Sequence, residues 1–252
     1  MRKIILLVFL YSVPFTCFAQ EIKDRDSIAV DTLQNIKFNY KQVVIPAVLI
    51  GYGFWGMESG QIKNFNHQIR DKITDIDQKT TIDDFSRWAP AASVYALNAF
   101  GVEGKNNLKD RSVIFVTSYV IMGGTVFGLK SVTHMERPDG TSNNSFPSGH
   151  TAAAFAGAEF LYQEYKDKSI WYGIAGYAVA TGTGLFRMYN NRHWLTDVAA
   201  GAGIGIMSTK IAYWIYPYVN RTLFGGKESK STSFIAPSYN GKQLSLCFVK
   251  IF

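Results

Sequence analysis

Three short blocks of this 252-residue sequence carry side chains that can do chemistry together. The first runs Lys130-Ser-Val-Thr-His-Met-Glu-Arg137-Pro138, and the second is Pro147-Ser148-Gly149-His150. The third runs from Arg187 through Asn190-Asn191-Arg192-His193 to Asp197. Lys130, Arg137 and Arg187 supply positive charge, and the two arginines add forked donors that match the oxygens of a tetrahedral oxyanion. Ser148 and Gly149 open an apolar stretch; as a helix start they offer backbone N–H groups and the positive end of a dipole to an anion. His150 and His193 can divide nucleophilic attack and proton transfer between them. Asp197 follows His193 by four positions, which puts both on one helical face and lets the carboxylate fix the imidazole tautomer.

The elements that must position these blocks are six apolar stretches, residues 43–57, 88–102, 112–129, 151–162, 170–186 and 194–219. None shows the strict alternation of an exposed strand, so each is expected to be a helix. Gly and Ala crowd the last three, which suits close helix packing. In an antiparallel bundle the end of the third stretch, the start of the fourth, the end of the fifth and the start of the sixth share one end. The three blocks therefore converge. The expectation is an all-α bundle of about six helices with the site at one end, and with the polar, roughly amphipathic segment 59–87 lying across one face.

Both termini differ in composition from the bundle. Met1-Arg2-Lys3, an apolar run to Phe18 and the small Ala19 have the form of a secretory signal peptide over residues 1–19. Its removal would take Cys17 and leave Cys247 alone, so no intrachain disulfide is expected. Residues 20–42 read as an N-terminal segment and 43–220 as the helical domain. Residues 221–252 read as a Gly/Ser linker followed by a β-hairpin turning at Asn240-Gly241.

Composition excludes several classes. With 47% hydrophobic and 15% aromatic residues the chain is not disordered, and two cysteines do not make a disulfide scaffold. The 26 Lys and Arg exceed the 19 Asp and Glu, but they are scattered without the basic stripe that nucleic-acid binding requires.

The patterns K-x6-R-P, P-S-G-H and R-x5-H-x3-D, in this order, resemble the signature of the type 2 phosphatidic acid phosphatase (PAP2) superfamily, shared with bacterial class A acid phosphatases and vanadium haloperoxidases. The resemblance covers about residues 43–219. It implies a PAP2-type helical bundle and a phosphatase in which His193 is the nucleophile that becomes phosphohistidine, Asp197 orients it, and His150 is general acid and then base. It further implies that Lys130, Arg137, Ser148, Gly149 and Arg187 hold the phosphate, with no metal and no other cofactor. The sequence departs from the family at Phe186, where Ser is usual, which removes one hydroxyl donor. His67 and His134 fall outside the pattern and are expected to be structural, and Arg192 is expected at the rim.

The apolar helices favour a phosphorylated lipid of the cell envelope as substrate and the membrane as partner. A soluble periplasmic acid phosphatase acting on small monoesters is the first alternative, and a vanadate-dependent haloperoxidase the second, with the chain's length counting against it. A non-catalytic phospholipid-binding protein would make one histidine dispensable. Lys105, Lys109, Arg111, Lys166 and Lys168 lie in the turns at the far end, so the positive-inside rule turns the catalytic end towards the periplasm. Six full spans after a cleaved signal peptide would turn it the other way. The two agree only if one of the first two stretches does not cross, or if the bundle is not transmembrane.

Overall fold

The computed structural model describes residues 40–74 and 80–224 and, as backbone alone, 232–239 and 244–251. The signal peptide, most of the N-terminal segment, most of the Gly/Ser linker, the Asn240-Gly241 turn and both cysteine side chains lie outside the described residues.

Eight helices follow one another: α1 Lys41–Glu58, α2 Gly60–Ile73, α3 Ile82–Ser86, α4 Ala89–Ala99, α5 Leu108–Thr133, α6 Gly149–Tyr165, α7 Ile170–Tyr189 and α8 Leu195–Phe224. Each of the six apolar stretches has its own helix, and the polar segment supplies α2 and α3, so the count among the described residues is eight rather than six. Local chemistry sets several boundaries. Asn107 caps α5 by accepting from the Asp110 amide at 2.9 Å, and Ser169 caps α7 by accepting from Trp171 at 3.3 Å. At the other end of α5, His134 takes a left-handed conformation with φ 46°. Two strands, β1 Thr232–Tyr239 and β2 Leu244–Ile251, pair antiparallel with Thr232 opposite Ile251.

The bundle is organised around α8, most of whose residues from Thr196 to Tyr216 are buried. Its Gly/Ala run lets neighbours approach to backbone distance. A Cβ on Gly201 would stand 2.5 Å from the Ser148 carbonyl oxygen, and one on Gly203 would stand 2.6 Å from the Pro46 carbonyl of α1. Gly205 abuts the Ala152 carbonyl of α6 in the same way. Below this layer, Val94, Ile114, Phe160, Tyr165, Tyr213 and Tyr216 form an aliphatic and aromatic core. Tyr213 and Tyr216 are thus core residues, whereas Tyr218 is exposed.

Two carboxylates inside the bundle are paired. Lys210 of α8 donates to Glu159 of α6 at 2.6 Å, and Tyr177 of α7 donates to the same carboxylate. Nearer the far end, Glu164 accepts from Tyr213 at 2.6 Å and lies 3.5 Å from Arg111. The outward faces are apolar instead. Val116, Val120, Phe127 and Val132 of α5, Ile45, Val48 and Trp55 of α1, and Trp171, Ile174 and Leu185 of α7 are all exposed. By length and composition α5 and α8 can cross a membrane, and α1 with α2, bent by 99° at their junction, form a third candidate. Helix α4, with 11 residues, reaches only about 16 Å and does not cross by itself.

Replacing Gly201 by Ala is expected to cost about 1–3 kcal/mol by overpacking. Gly123, which is exposed and has nothing within 4 Å of its added Cβ, is the control, and its alanine variant should be neutral or slightly stabilised. Thermal unfolding of both in detergent checks the pair.

Candidate active site

The site forms where α5 ends, α6 begins, α7 ends and α8 begins. The tie between the last two motif blocks is a backbone bond, Ser148 N–H to the Asp197 carbonyl at 3.0 Å. It fixes the start of α6 against the first turn of α8. The same bond corrects one expectation: the Ser148 amide is committed to Asp197 rather than open to an anion. Its hydroxyl is likewise buried and lies 2.9 Å from that of Thr151. The amides of Gly149 and His150, in the first turn of α6, have no acceptor within the helix and remain the donors of this helix start.

His193 is buried, with Nδ1 3.6 Å from Asp197 Oδ2. That separation is within ion-pair reach but longer than a hydrogen bond. Asp197 Oδ2 is held from two sides, by the Ser145 hydroxyl at 2.5 Å and the Trp194 amide at 2.9 Å. The Nδ1 edge of His193 therefore faces the carboxylate, and Nε2 is the edge free for chemistry. Burial pushes the imidazole down to about 4; Asp197 opposes this, while Arg187 and Lys130 add to it. The ring is neutral at ordinary pH, with a lone pair to donate.

The three cations are close enough to act on one centre. Arg137 lies within electrostatic reach of Arg187, Arg192 and Asp197, and Arg187 acts on both histidines. Arg187 is buried, donates to Asp83, and leaves its Nε without a partner among the described residues. Lys130 donates to the Asn144 carbonyl and lies 3.4 Å from that of Ser145. Arg137 donates through Nε to the Asn144 side chain at 2.9 Å. The 138–147 loop is thus threaded through the cations it separates.

His150, half-buried, lies with Nε2 2.8 Å from Asp84 Oδ1. Burial and Arg187 lower its affinity for a proton, and Asp84 opposes them. Ligand atoms of Asp83, Asp84 and His150 stand within 4.8 Å of one another. Asp83, however, is already taken by Arg187 and by Asn190, whose Nδ2 donates at 2.9 Å. A carboxylate neutralised by a guanidinium is a poor cation ligand, and the trio fits an ion-pair network better than a metal centre. Such an arrangement can take up a phosphoryl group, attack it with one imidazole and exchange protons through the other.

Residues 111–221 match the family model of the PAP2 superfamily. Over these residues the chain is similar to that superfamily. The matched region holds all eight residues singled out from the sequence, from Lys130 to Asp197. Among curated relatives, a lipid A 1-phosphatase of Porphyromonas gingivalis is 41% identical over 143 residues, covering 56% of this chain and 32% of the relative. The bacitracin transport permease protein BcrC of Bacillus licheniformis is 35% identical over 75 residues, covering 30% and 35%. The chain spans about a third of the length of these curated relatives. Two solved PAP2 structures are also similar: Aquifex aeolicus LpxE, at 21% identity and a TM-score of 0.47, covering 60% of this chain and 95% of that one; and a Bacillus subtilis PAP2-type phosphatidylglycerolphosphate phosphatase, at 18% and 0.47, covering 73% and 99%.

Several residues at this end of the bundle were not singled out from the sequence. Ser145, the donor to Asp197, ends a polar run just before Phe146-Pro147, and the run itself was the available signal. Asn144 and Asp139, between the first two blocks, hold Arg137 and Arg192, the latter through an ion pair at 3.0 Å. Asp83 and Asp84 come from the polar segment, and nothing in spacing links them to partners 104 and 66 positions away. His67 stacks edge-on against Trp194 with centroids 4.7 Å apart, and His134 ends α5. Phe186 is half-buried on α7, beside Arg187 in sequence.

Proposed function

We propose that the protein is a metal-independent phosphatase that removes phosphate, from a monoester or a diphosphate, from a lipid of the cell envelope. The observation that carries this reading is the buried imidazole of His193, set 3.6 Å from Asp197, at the end of the bundle where Lys130, Arg137 and Arg187 also gather. In this reading His193 Nε2 attacks phosphorus to give a phosphohistidine, and Asp197 balances the charge that develops on the ring. His150 donates the proton the leaving oxygen needs, then takes one from the water that releases phosphate. The cations and the first-turn amides of α6 stabilise the charge spread over the phosphoryl oxygens. Ser148 contributes as the residue that anchors this helix start.

A lipid substrate is supported by the apolar outer faces of α1, α5 and α7 and by the relative named as a lipid A 1-phosphatase. Phosphatidate, phosphatidylglycerol phosphate, undecaprenyl diphosphate and lipid A phosphates all carry the required group. A soluble acid phosphatase has no use for those faces. The basic turns at the far end, with Lys105, Lys109, Lys166 and Lys168, favour a catalytic end that faces the periplasm.

Phosphate release from a panel of lipid and soluble phosphates should proceed in EDTA, and His193→Ala should bring it to background; retained turnover would refute the assignment. The kcat/KM profile should be bell-shaped and acidic. It should rise with pH as His193 loses its proton near 4, and fall as His150 loses its own below the usual histidine value of 6.5. A cysteine replacing Asp139 should react with an impermeant thiol reagent added outside the cytoplasm, and labelling from the cytoplasmic side alone would reverse the orientation.

A further inference from the structure

Two carboxylates reach the site from a direction that the motif blocks do not cover. Asp83 and Asp84 are consecutive on α3, so their side chains leave the helix about 100° apart. Asp83 is buried and spends its oxygens on Arg187 and Asn190. Asn190 in turn bridges to the backbone of Thr80, donating at 2.9 Å and accepting at 3.0 Å, and Ser86 meets Thr183 of α7 at 2.8 Å. Helix α3 is therefore clamped to the end of α7, and Asp84 is delivered from a fixed support. Its Oδ1 stands 2.8 Å from His150 Nε2. An ionised carboxylate can only accept, so the hydrogen of that bond sits on Nε2. Nδ1 is then the ring nitrogen left to exchange a proton with substrate.

We propose that Asp84 is a positioning residue for His150, which pins the ring through Nε2 and keeps the Nδ1 proton available to a departing oxygen that cannot leave unaided. The inference rests on the phosphatase reading above. As the bond from His193 Nε2 to phosphorus forms, the bond from phosphorus to the leaving oxygen breaks; its electron pair stays on that oxygen, which takes the Nδ1 proton. His150 is left neutral, still donating from Nε2 to Asp84. In the second half Nδ1 takes a proton from water while the water oxygen bonds to phosphorus and the phosphohistidine bond breaks. The charged groups facing His150 are Asp84, Asp83 and Arg87 from α3 and its exit, and Arg187 from α7. Burial and the two arginines work to remove its proton, and the two carboxylates work to keep it. Reciprocally, the bond to His150 holds the Asp84 carboxyl below its usual range.

The test compares wild type, Asp84→Asn and Asp84→Glu as full-length protein in detergent, on an alkyl phosphate and on p-nitrophenyl phosphate, whose leaving group needs little protonation. General acid catalysis contributes on the order of 10²–10⁴-fold, so Asp84→Asn should lose roughly tenfold or more in kcat on the alkyl substrate and less than about threefold on the aryl one. Its alkaline limb in kcat/KM should move to lower pH, and Asp84→Glu should recover part of the alkyl rate. Equal losses on both substrates with an unmoved limb would overturn the inference and leave the phosphatase reading intact. Tighter inhibition by inorganic phosphate with undiminished alkyl turnover would overturn it too, by showing that Asp84 merely occupies the anion site. Absence of turnover by wild type on both substrates would overturn the phosphatase reading, and this inference with it.

Discussion

The closeness of α6 to α8 is the constraint on which the site depends. Two motif blocks far apart in the chain meet through one backbone hydrogen bond, Ser148 to Asp197. Gly201 makes room for it, because a Cβ there would stand 2.5 Å from the Ser148 carbonyl oxygen. Gly201 and Gly205 rest on carbonyls of α6, so the helices pack at a distance that any larger residue would prevent. The alanines of α6 and the glycines of α8 contribute nothing to the chemistry directly. They set the height at which His193 stands beside the first turn of α6.

Charge is the second constraint. Gathering Lys130, Arg137, Arg187 and Arg192 at one end of a bundle is unfavourable unless something offsets their repulsion. Here the protein supplies its own acceptors. Asp83 takes Arg187, Asp139 takes Arg192, and the Asn144 side chain and carbonyl take Arg137 and Lys130. Asp197 is the acidic group nearest His193, and Ser145 and the Trp194 amide prevent it from turning away. The cations are thereby held ready in fixed directions, which an anion-stabilising site requires more than it requires their number.

Much of this was legible in the sequence for a physical reason. Helical period and apolar content locate the six long stretches, and residues at their ends are forced together by antiparallel packing, so convergence of the three blocks followed from order alone. What spacing does not encode is pairing across long separations. Asp83 and Asp84 lie in the amphipathic segment, and their partners on α7 and α6 are far along the chain. The polar segment broke into α2 and α3 for the same reason: tertiary bonds such as Arg70 to Asn191, 3.0 Å, and Asn66 to Thr196, 2.9 Å, decide where it lies. The Ser148 amide was misjudged because a helix start viewed alone has free donors, whereas here a neighbouring helix had already claimed one.

The buried ion pair between Glu159 and Lys210 bears on biogenesis. These partners lie 51 residues apart, and α6 leaves the ribosome well before α8 does. Until then Glu159 lacks its lysine, whereas Glu164 already has Arg111 and Asn106, and hydrocarbon penalises the uncompensated carboxylate. Helix α6 therefore cannot settle in lipid as an independent unit. It must be sheltered by the insertion machinery, or remain in a polar setting, until α8 arrives with the lysine that neutralises it. The same helix that brings this lysine also brings Asp197, so the partner of Glu159 and the backbone anchor of Ser148 arrive together.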